Sequence, residues 1–570
     1  MEKSLSRRSF VTGASLAAGA ALAATAGTEA FADEAAEAEE TTWDAEYDFI
    51  VVGTGTAVFA AFAAESAGAE SVALVEKSAG FGGTAAYSGG AFWAPCNSLM
   101  EADGYEDNRE DAITYIKANS EGMTTDAIIE AFVDTVPGFV DWVTEYLGIE
   151  WGYLNGGALY GDQAWMDYTD LDGCRAYGRS LTVAGSNVSE TATSDSYGGP
   201  LMWSLIREQL DADEVIELLL STEATHLLTN DEGQVVGLQC ETEDGTINLK
   251  SRHGVLLGAG GFEHDAEMRK NYLRIPMFNT VGVPTNTGDA HRMGLEIGAA
   301  LGNMQNYWGT PAAIPPEDVP TGDALYDGSV FYNDMLTIFD SPLRRAKPNS
   351  IVVNKAGERF GNESSSYHHF NRTFESWDAG TFGPRNWPAY FIGDQTFYEN
   401  YMLPGTSQAG AVGDIPEGTV IADTLEELAE ELGIDYDRLA KTVEEFNENA
   451  KEGVDPQFHR GEHLFDLSTG ADFNGRTDLA NPCLGPVETA PFYGYAYLPG
   501  MLCTSGGLVI NEKARVLTVA GEEIGGLYAC GNCAAGIFGT GYPGAGSTVA
   551  AGAVMGYIAA LDAMASDAIE

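Results

Sequence analysis

The sequence predicts an α/β fold in two parts, on three observations. An apolar strand, Phe49 to Val52, runs into Gly53-x-Gly55 and an alanine-rich helix. A second strand with a glycine turn, Gly526 to Asn532, lies near the C-terminus. Between them runs a long stretch with its own helix signals. The outer blocks read as one Rossmann-like domain, divided into residues 44–303 and 500–570, and the middle, 304–499, as an inserted α+β capping domain. A chain of 570 residues is too long for one core.

The first block is "YDFIVVGTGTAVFAAFAAESAGAESVALVEKS". Glycines at Gly53 and Gly55 let the backbone approach a pyrophosphate, the helix start offers unpaired amides, and Glu76, 23 residues after Gly53, ends the next strand where an acid takes a ribose hydroxyl. Lys77 follows at the same strand end and is assigned to the same site. Val58 stands where a third glycine is usual, so strand-to-helix packing must differ there. NAD and FAD share this fingerprint.

Inside the insert, Thr424 and Glu427 form a capping box for a helix that stops at Gly433, and a second helix follows from Tyr436. "PFYGYAYLPG" alternates like a strand, and its three tyrosines read as packing.

The N-terminus is excluded from the fold. Arg7 and Arg8 precede a weakly apolar run that ends at Ala30-Phe31-Ala32, a twin-arginine signal over 1–32 with an acidic linker over 33–43. Export to the periplasm or another extracytoplasmic space is expected, with a folded, loaded protein starting near Asp33. A membrane anchor is the alternative for the leader; no stable span is expected elsewhere. A formal charge of −56, from 29 basic and 85 acidic side chains, argues against nucleic-acid or anionic-membrane partners. Seven cysteines do not form a disulfide framework. "CGNC" (Cys530, Cys533) admits a redox pair but reads better as small residues under a cofactor. His459 and His463, or His368 and His369, lack a third clustered ligand, so no metal is expected.

Several turns then resemble the succinate dehydrogenase and fumarate reductase flavoprotein superfamily. They are "FGGTAAYSGGAFWAPCN", "GVLLGAGGFEHDAEM", "TNTGDAHRMGLEIGA" and "GLYACGN", in that order. The resemblance implies that Gly83, Thr84, Ser88, Gly89, Ala259, Gly260, Asp289 and Asn532 wrap FAD, making the Rossmann-like part an FAD-binding domain and the insert a substrate cap. No histidine precedes the Ser88-Gly89-Gly90 turn, so FAD is expected to be non-covalent. The helix from Ser547 and Thr548 would aim its positive end at the flavin.

Where dicarboxylate reductases of that superfamily present arginines, this chain has Tyr367 in "NESSSY" and Tyr542 in "GTGYPGAGST". With "DTLEELAEELGI" and "EEFNENAKEGVDPQFHRGE", the pattern is similar to the 3-oxosteroid 1-dehydrogenase family over nearly the whole mature chain. The resemblance implies that Tyr367 is the base, Tyr542 and the Gly546 amide hold the ketone oxygen, and Tyr168 supports Tyr367, with Tyr177 a rival. A phenol and an amide would stabilise enolate charge as an oxyanion hole does. The implied reaction is 1,2-dehydrogenation of a 3-oxosteroid, with hydride passing to FAD and a separate quinone, haem or flavin carrier as electron partner. A respiratory-type enone reductase running the reverse is the alternative, and a flavin electron-transfer module is the alternative from another class. Phe92, Trp93 and Trp165 are apolar and suit the lining of a pocket for a ring system, and equally suit a core.

Overall fold

Four short apolar runs, Phe49–Val52, Val72–Val75, Ile216–Leu219 and Val255–Leu257, lie parallel in one sheet. Glu523–Ala529 adds a fifth parallel strand beside Val255–Leu257, and Arg515–Leu517 closes the edge antiparallel. Unbroken apolar runs such as "FIVV" and "VALV" suit strands covered on both faces, and both are wholly buried. The computed structural model describes residues 41–154, 166–186, 195–325, 331, 342–407 and 410–569. Within it Trp43–Glu570 form one compact unit. The leader and Trp165 lie outside the described residues.

The first helix, Val58–Ser66, buries every residue from Val58 to Ala64 and packs against the C-terminal helix, Ser547–Ala565. Val58 in place of a third glycine is accommodated from the other side. Gly552 of the C-terminal helix faces Thr56, and a side chain at Gly552 would overlap the Thr56 hydroxyl. That C-terminal helix is the one described helix long and apolar enough to cross a membrane; here most of it is buried in the domain core.

The capping region carries its own sheet. Ala312–Ile314, Phe492–Leu498, Ala389–Gly393 and Ser350–Asn354 lie antiparallel in that order, with Val420–Ala422 also paired to Phe492–Leu498. All of "FYGYAYL" is buried, since helices cover the sheet. The Thr424 hydroxyl accepts from the Glu427 amide at 3.1 Å and caps Leu425–Leu432, which ends at a left-handed Gly433. The second helix runs Tyr436–Glu452. The strands of the parallel sheet come from before residue 303 and after 499 and those of the cap sheet from between them, and Phe278 packs in the cap core.

Candidate active site

A cavity of about 500 Å³ runs between the strand ends of the parallel sheet and the cap. At one end it is walled by backbone. Gly53, Gly55, Gly83, Thr84, Ser88, Gly89, Ala259 and Gly260 all line it, with Asn532 and Thr548. Gly53 has φ +100°, and a side chain there would overlap the Gly258 carbonyl oxygen, so the turn requires glycine. The strand Val72–Val75 delivers Glu76 to this end. Its carboxylate accepts from the Thr54 hydroxyl (2.8 Å), the Thr54 amide (3.2 Å) and the Ser78 amide (2.9 Å), which fixes its orientation. Lys77 donates to Asp289 (2.5 Å) and Thr287 (2.9 Å), so these two opposite charges are paired with each other. A glycine cradle followed by an oriented carboxylate is the donor and acceptor set that FAD needs for its pyrophosphate and ribose.

One expectation for this end is corrected, and an alternative is set aside. Ser547 does not line the cavity: its hydroxyl donates to the Gly544 carbonyl at 2.9 Å and is fully buried, because it closes the turn before the helix. Cys530 and Cys533 are free, wholly buried thiols, and burial pushes Cys533 up to about 12. A thiol held that far from its thiolate is unreactive, so the pair is packing.

The other end is walled by side chains. Tyr367 opens the helix Tyr367–Arg372, capped by Ser366. The preceding "NES" is pinned because Glu363, fully buried, accepts from Arg359 at 2.8 and 2.7 Å. Tyr542 sits in the turn before the C-terminal helix, and the Pro543 carbonyl of that turn accepts from the Tyr115 hydroxyl (2.7 Å) and the Tyr168 amide (2.8 Å). This backbone pairing brings Tyr168 to the site. Its neighbour Asp167 accepts from the Trp93 indole and from Arg179, both at 2.8 Å.

Three phenols from these segments form a chain. Tyr367 donates to Tyr542 at 3.1 Å, and the Tyr168 and Tyr367 hydroxyls are 2.9 Å apart. Tyr367 has one hydrogen, so Tyr168 donates into it and the Tyr542 hydrogen is left to face a ligand. Burial pushes the Tyr367 and Tyr542 phenols well above their ordinary value near 10. Gly546, at φ +90°, starts the C-terminal helix and lines the cavity. Among the described residues no acceptor takes its amide hydrogen. His368 holds the arrangement: the Gly309 amide donates to its Nδ1 (3.0 Å), so Nε2 carries the proton and donates to the Thr540 carbonyl (2.7 Å).

The structure separates the rivals. Tyr168 meets Tyr367, whereas the Tyr177 ring lies beside Tyr105 at 6.2 Å. Phe92 and Trp93 do not line the cavity. Both are fully buried, Phe92 against Phe139 and Trp93 against Phe132 and Phe538. His459 and His463 pair with Glu462 and Asp170, and no metal-ligating group of three is found among the described residues. Sequence reasoning missed Trp308, whose ring edges onto Tyr542 at 5.1 Å while its indole donates to Asn532 at 2.9 Å. It also missed Tyr197 and Arg344 on the cavity wall. None of the three stands in a recognisable motif.

A glycine cradle for FAD opening onto paired phenols defines an FAD-dependent oxidoreductase of CH–CH bonds. Comparison with known proteins agrees. The chain matches the FAD binding domain family over residues 48–549. It is 30% identical to 4-oxocyclohexanecarboxylate 2-dehydrogenase of Sinomonas cyclohexanicum, over 90% of this chain and 92% of that one. It is 31% identical to 3-oxosteroid 1-dehydrogenase of Mycolicibacterium smegmatis, over 92% of this chain and 98% of that one. The solved 3-ketosteroid Δ1-dehydrogenase of Sterolibacterium denitrificans, in complex with 1,4-androstadiene-3,17-dione, superposes with TM-score 0.78 at 29% identity, covering 92% of this chain and all of that one. The chain belongs to the 3-oxosteroid 1-dehydrogenase family of FAD-binding oxidoreductases.

Proposed function

We propose that this protein dehydrogenates a ring ketone between the carbons α and β to its carbonyl, with a 3-oxosteroid oxidised at C1 and C2 as the leading case. The observation that carries the reading is the hydrogen-bonded chain Tyr168, Tyr367, Tyr542 in the same cavity as the dinucleotide cradle. Tyr542 and the Gly546 amide hold the ketone oxygen and stabilise the charge that grows on it. Tyr367 takes the proton from the α carbon, and Tyr168, donating into the Tyr367 oxygen, stabilises the phenolate. Bound FAD supplies the two-electron acceptor for the hydride of the β carbon. The residues expected to hold it are Gly53, Gly55, Glu76, Gly83, Thr84 and Ala259, with Lys77 orienting Asp289.

One observation favours the reverse direction as a second reading. Burial holds the Tyr367 phenol in its protonated form at neutral pH, the form that returns a proton to the α carbon of an enone. In either direction the two electrons pass to or from a separate quinone, haem or flavin carrier. Export through the Arg7-Arg8 leader is part of the proposal.

The test is anaerobic. Addition of a 3-oxosteroid saturated at C1 and C2 should bleach the oxidised flavin band and yield the 1,2-ene. An oxidised flavin that stays unbleached, together with prompt reoxidation of dithionite-reduced protein by the enone, assigns the reductase. If neither occurs with any ring ketone, the proposal is wrong.

A further inference from the structure

The turn between Tyr542 and the C-terminal helix is held by hydroxyls on three successive carbonyls. That of Pro543 accepts from Tyr115 at 2.7 Å, that of Gly544 from Ser547 at 2.9 Å, and that of Ala545 from Ser180 at 3.0 Å. The third of these controls a donor. The Ala545 carbonyl shares its peptide plane with the Gly546 amide, the group assigned to the ketone oxygen. In a trans peptide the C=O and N–H bonds point in opposite directions, so fixing one aims the other. Ala545 and Gly546 line the cavity, and Ser180 is fully buried behind them.

This peptide needs such a hold. Residue 546 must be glycine, because a side chain there would overlap the Ala91–Phe92 peptide. Glycine adopts a φ near −90° as readily as the observed +90°, so both orientations of the Ala545–Gly546 plane are open to the backbone. Turned over, the plane would send the Ala545 carbonyl toward the ketone and take the amide away. Ser180 opposes that turn from a rigid place. It opens the strand Ser180–Val183, which pairs with Phe92–Trp93 on one side and Trp151–Tyr153 on the other. Its carbonyl accepts from the Leu154 amide at 2.9 Å, and the preceding Arg179 is fixed by Asp107 (2.7 and 2.9 Å) and Asp167 (2.8 Å). A hydrogen bond to the carbonyl also polarises the peptide, which strengthens its N–H as a donor. We infer that Ser180 is a positioning residue of this enzyme: its hydroxyl aims the Gly546 amide at the ketone oxygen and strengthens its bond to the charge that grows there. The inference rests on the ketone chemistry proposed above and deepens it.

The experiment uses the FAD-loaded protein and a 3-oxosteroid 1,4-diene labelled with ¹³C at its ketone. As the product of the proposed oxidation it binds the oxidised protein without turnover, and infrared difference spectroscopy reads its carbonyl stretch. The wild type should lower the stretch below its value in water, and Ser180→Ala should return part of that shift. With a substrate ketone, Ser180→Ala should lower kcat about 10-fold, between the loss of an ordinary hydrogen bond and that of an oxyanion donor. KM and flavin content should hold, because the bond gains its strength in the transition state. Ser180→Cys, a weak donor of similar size, should fall between, and takes the place of the alanine variant if that one loses its flavin. Wild-type turnover in Ser180→Ala overturns the inference and leaves the ketone chemistry standing. A slower variant whose bound carbonyl keeps the wild-type stretch overturns it too, marking the hydroxyl as a brace of the fold. If no ring ketone bleaches the flavin and no enone reoxidises it, the ketone chemistry fails and the inference falls with it.

Discussion

At the dinucleotide end of the cavity, contacts are offered by backbone amides, glycines and one oriented carboxylate, all close to strand ends of a single sheet. At the ketone end they are offered by phenols that arrive from residues 168, 367 and 542, segments separated by 199 and 175 positions. The first end is a property of a local fold and the second a property of how distant parts pack. The difference teaches where substitutions should act: at the dinucleotide end on cofactor retention, at the ketone end on rate with FAD still bound.

Substitutions at the ketone end test that contrast most strongly. Tyr367→Phe should lower turnover by about 10³-fold, within the usual range for loss of a general acid or base, while the flavin absorbance per protein stays at the wild-type value. Tyr542→Phe should follow with about 10²-fold in kcat, the scale of a lost oxyanion donor, measured in the same assay.

The pH profile sharpens the comparison. Tyr367 is held above its ordinary phenol value, and dehydrogenation needs its deprotonated form. Dehydrogenation should therefore rise about tenfold per unit as pH climbs toward that raised value, whereas enone reduction, which needs the protonated form, stays flat over the same range. FAD retention should not follow this limb.

Smaller effects complete the series. Lys77→Met removes the partner of Asp289 and should weaken FAD binding about 10-fold, read by ultrafiltration of released flavin, with the rate of the loaded fraction unchanged. Tyr168→Phe removes one hydrogen bond to Tyr367 and should cost about 2- to 10-fold in kcat. It should also shift the alkaline limb further up, which loss of packing alone would not do.

The same contrast decides what could be read from the sequence. The parallel sheet, the Gly53 turn, Glu76 and the capped helix from Thr424 all follow from residues within a few positions of one another, where spacing carries the physics. Tyr367 and Tyr542 became legible through family resemblance, since a lone tyrosine in a glycine turn has no spacing to betray it. Trp308 and Arg344 could not be read, because what makes each a wall residue is a neighbour far along the chain: Asn532 for the first, Ser407 for the second. Trp93 was legible only as an apolar residue fit for pocket or core, and a contact 74 positions away decides for the core: the indole turns inward to donate to buried Asp167. Ser547 was misread, its hydroxyl being drawn back to Gly544 by the turn it closes.

The claim at the centre is that Tyr367 moves a proton at the carbon next to a ketone oxygen held by Tyr542 and the Gly546 amide. The most direct measurement is hydrogen exchange at that carbon, followed by proton NMR in D₂O with the FAD-loaded protein and a saturated ring ketone. The wild type is expected to wash deuterium into the α position, and Tyr367→Phe, with its flavin still bound, is expected to leave that proton in place. Exchange at the wild-type rate in Tyr367→Phe would contradict the assignment and place the proton transfer on another group.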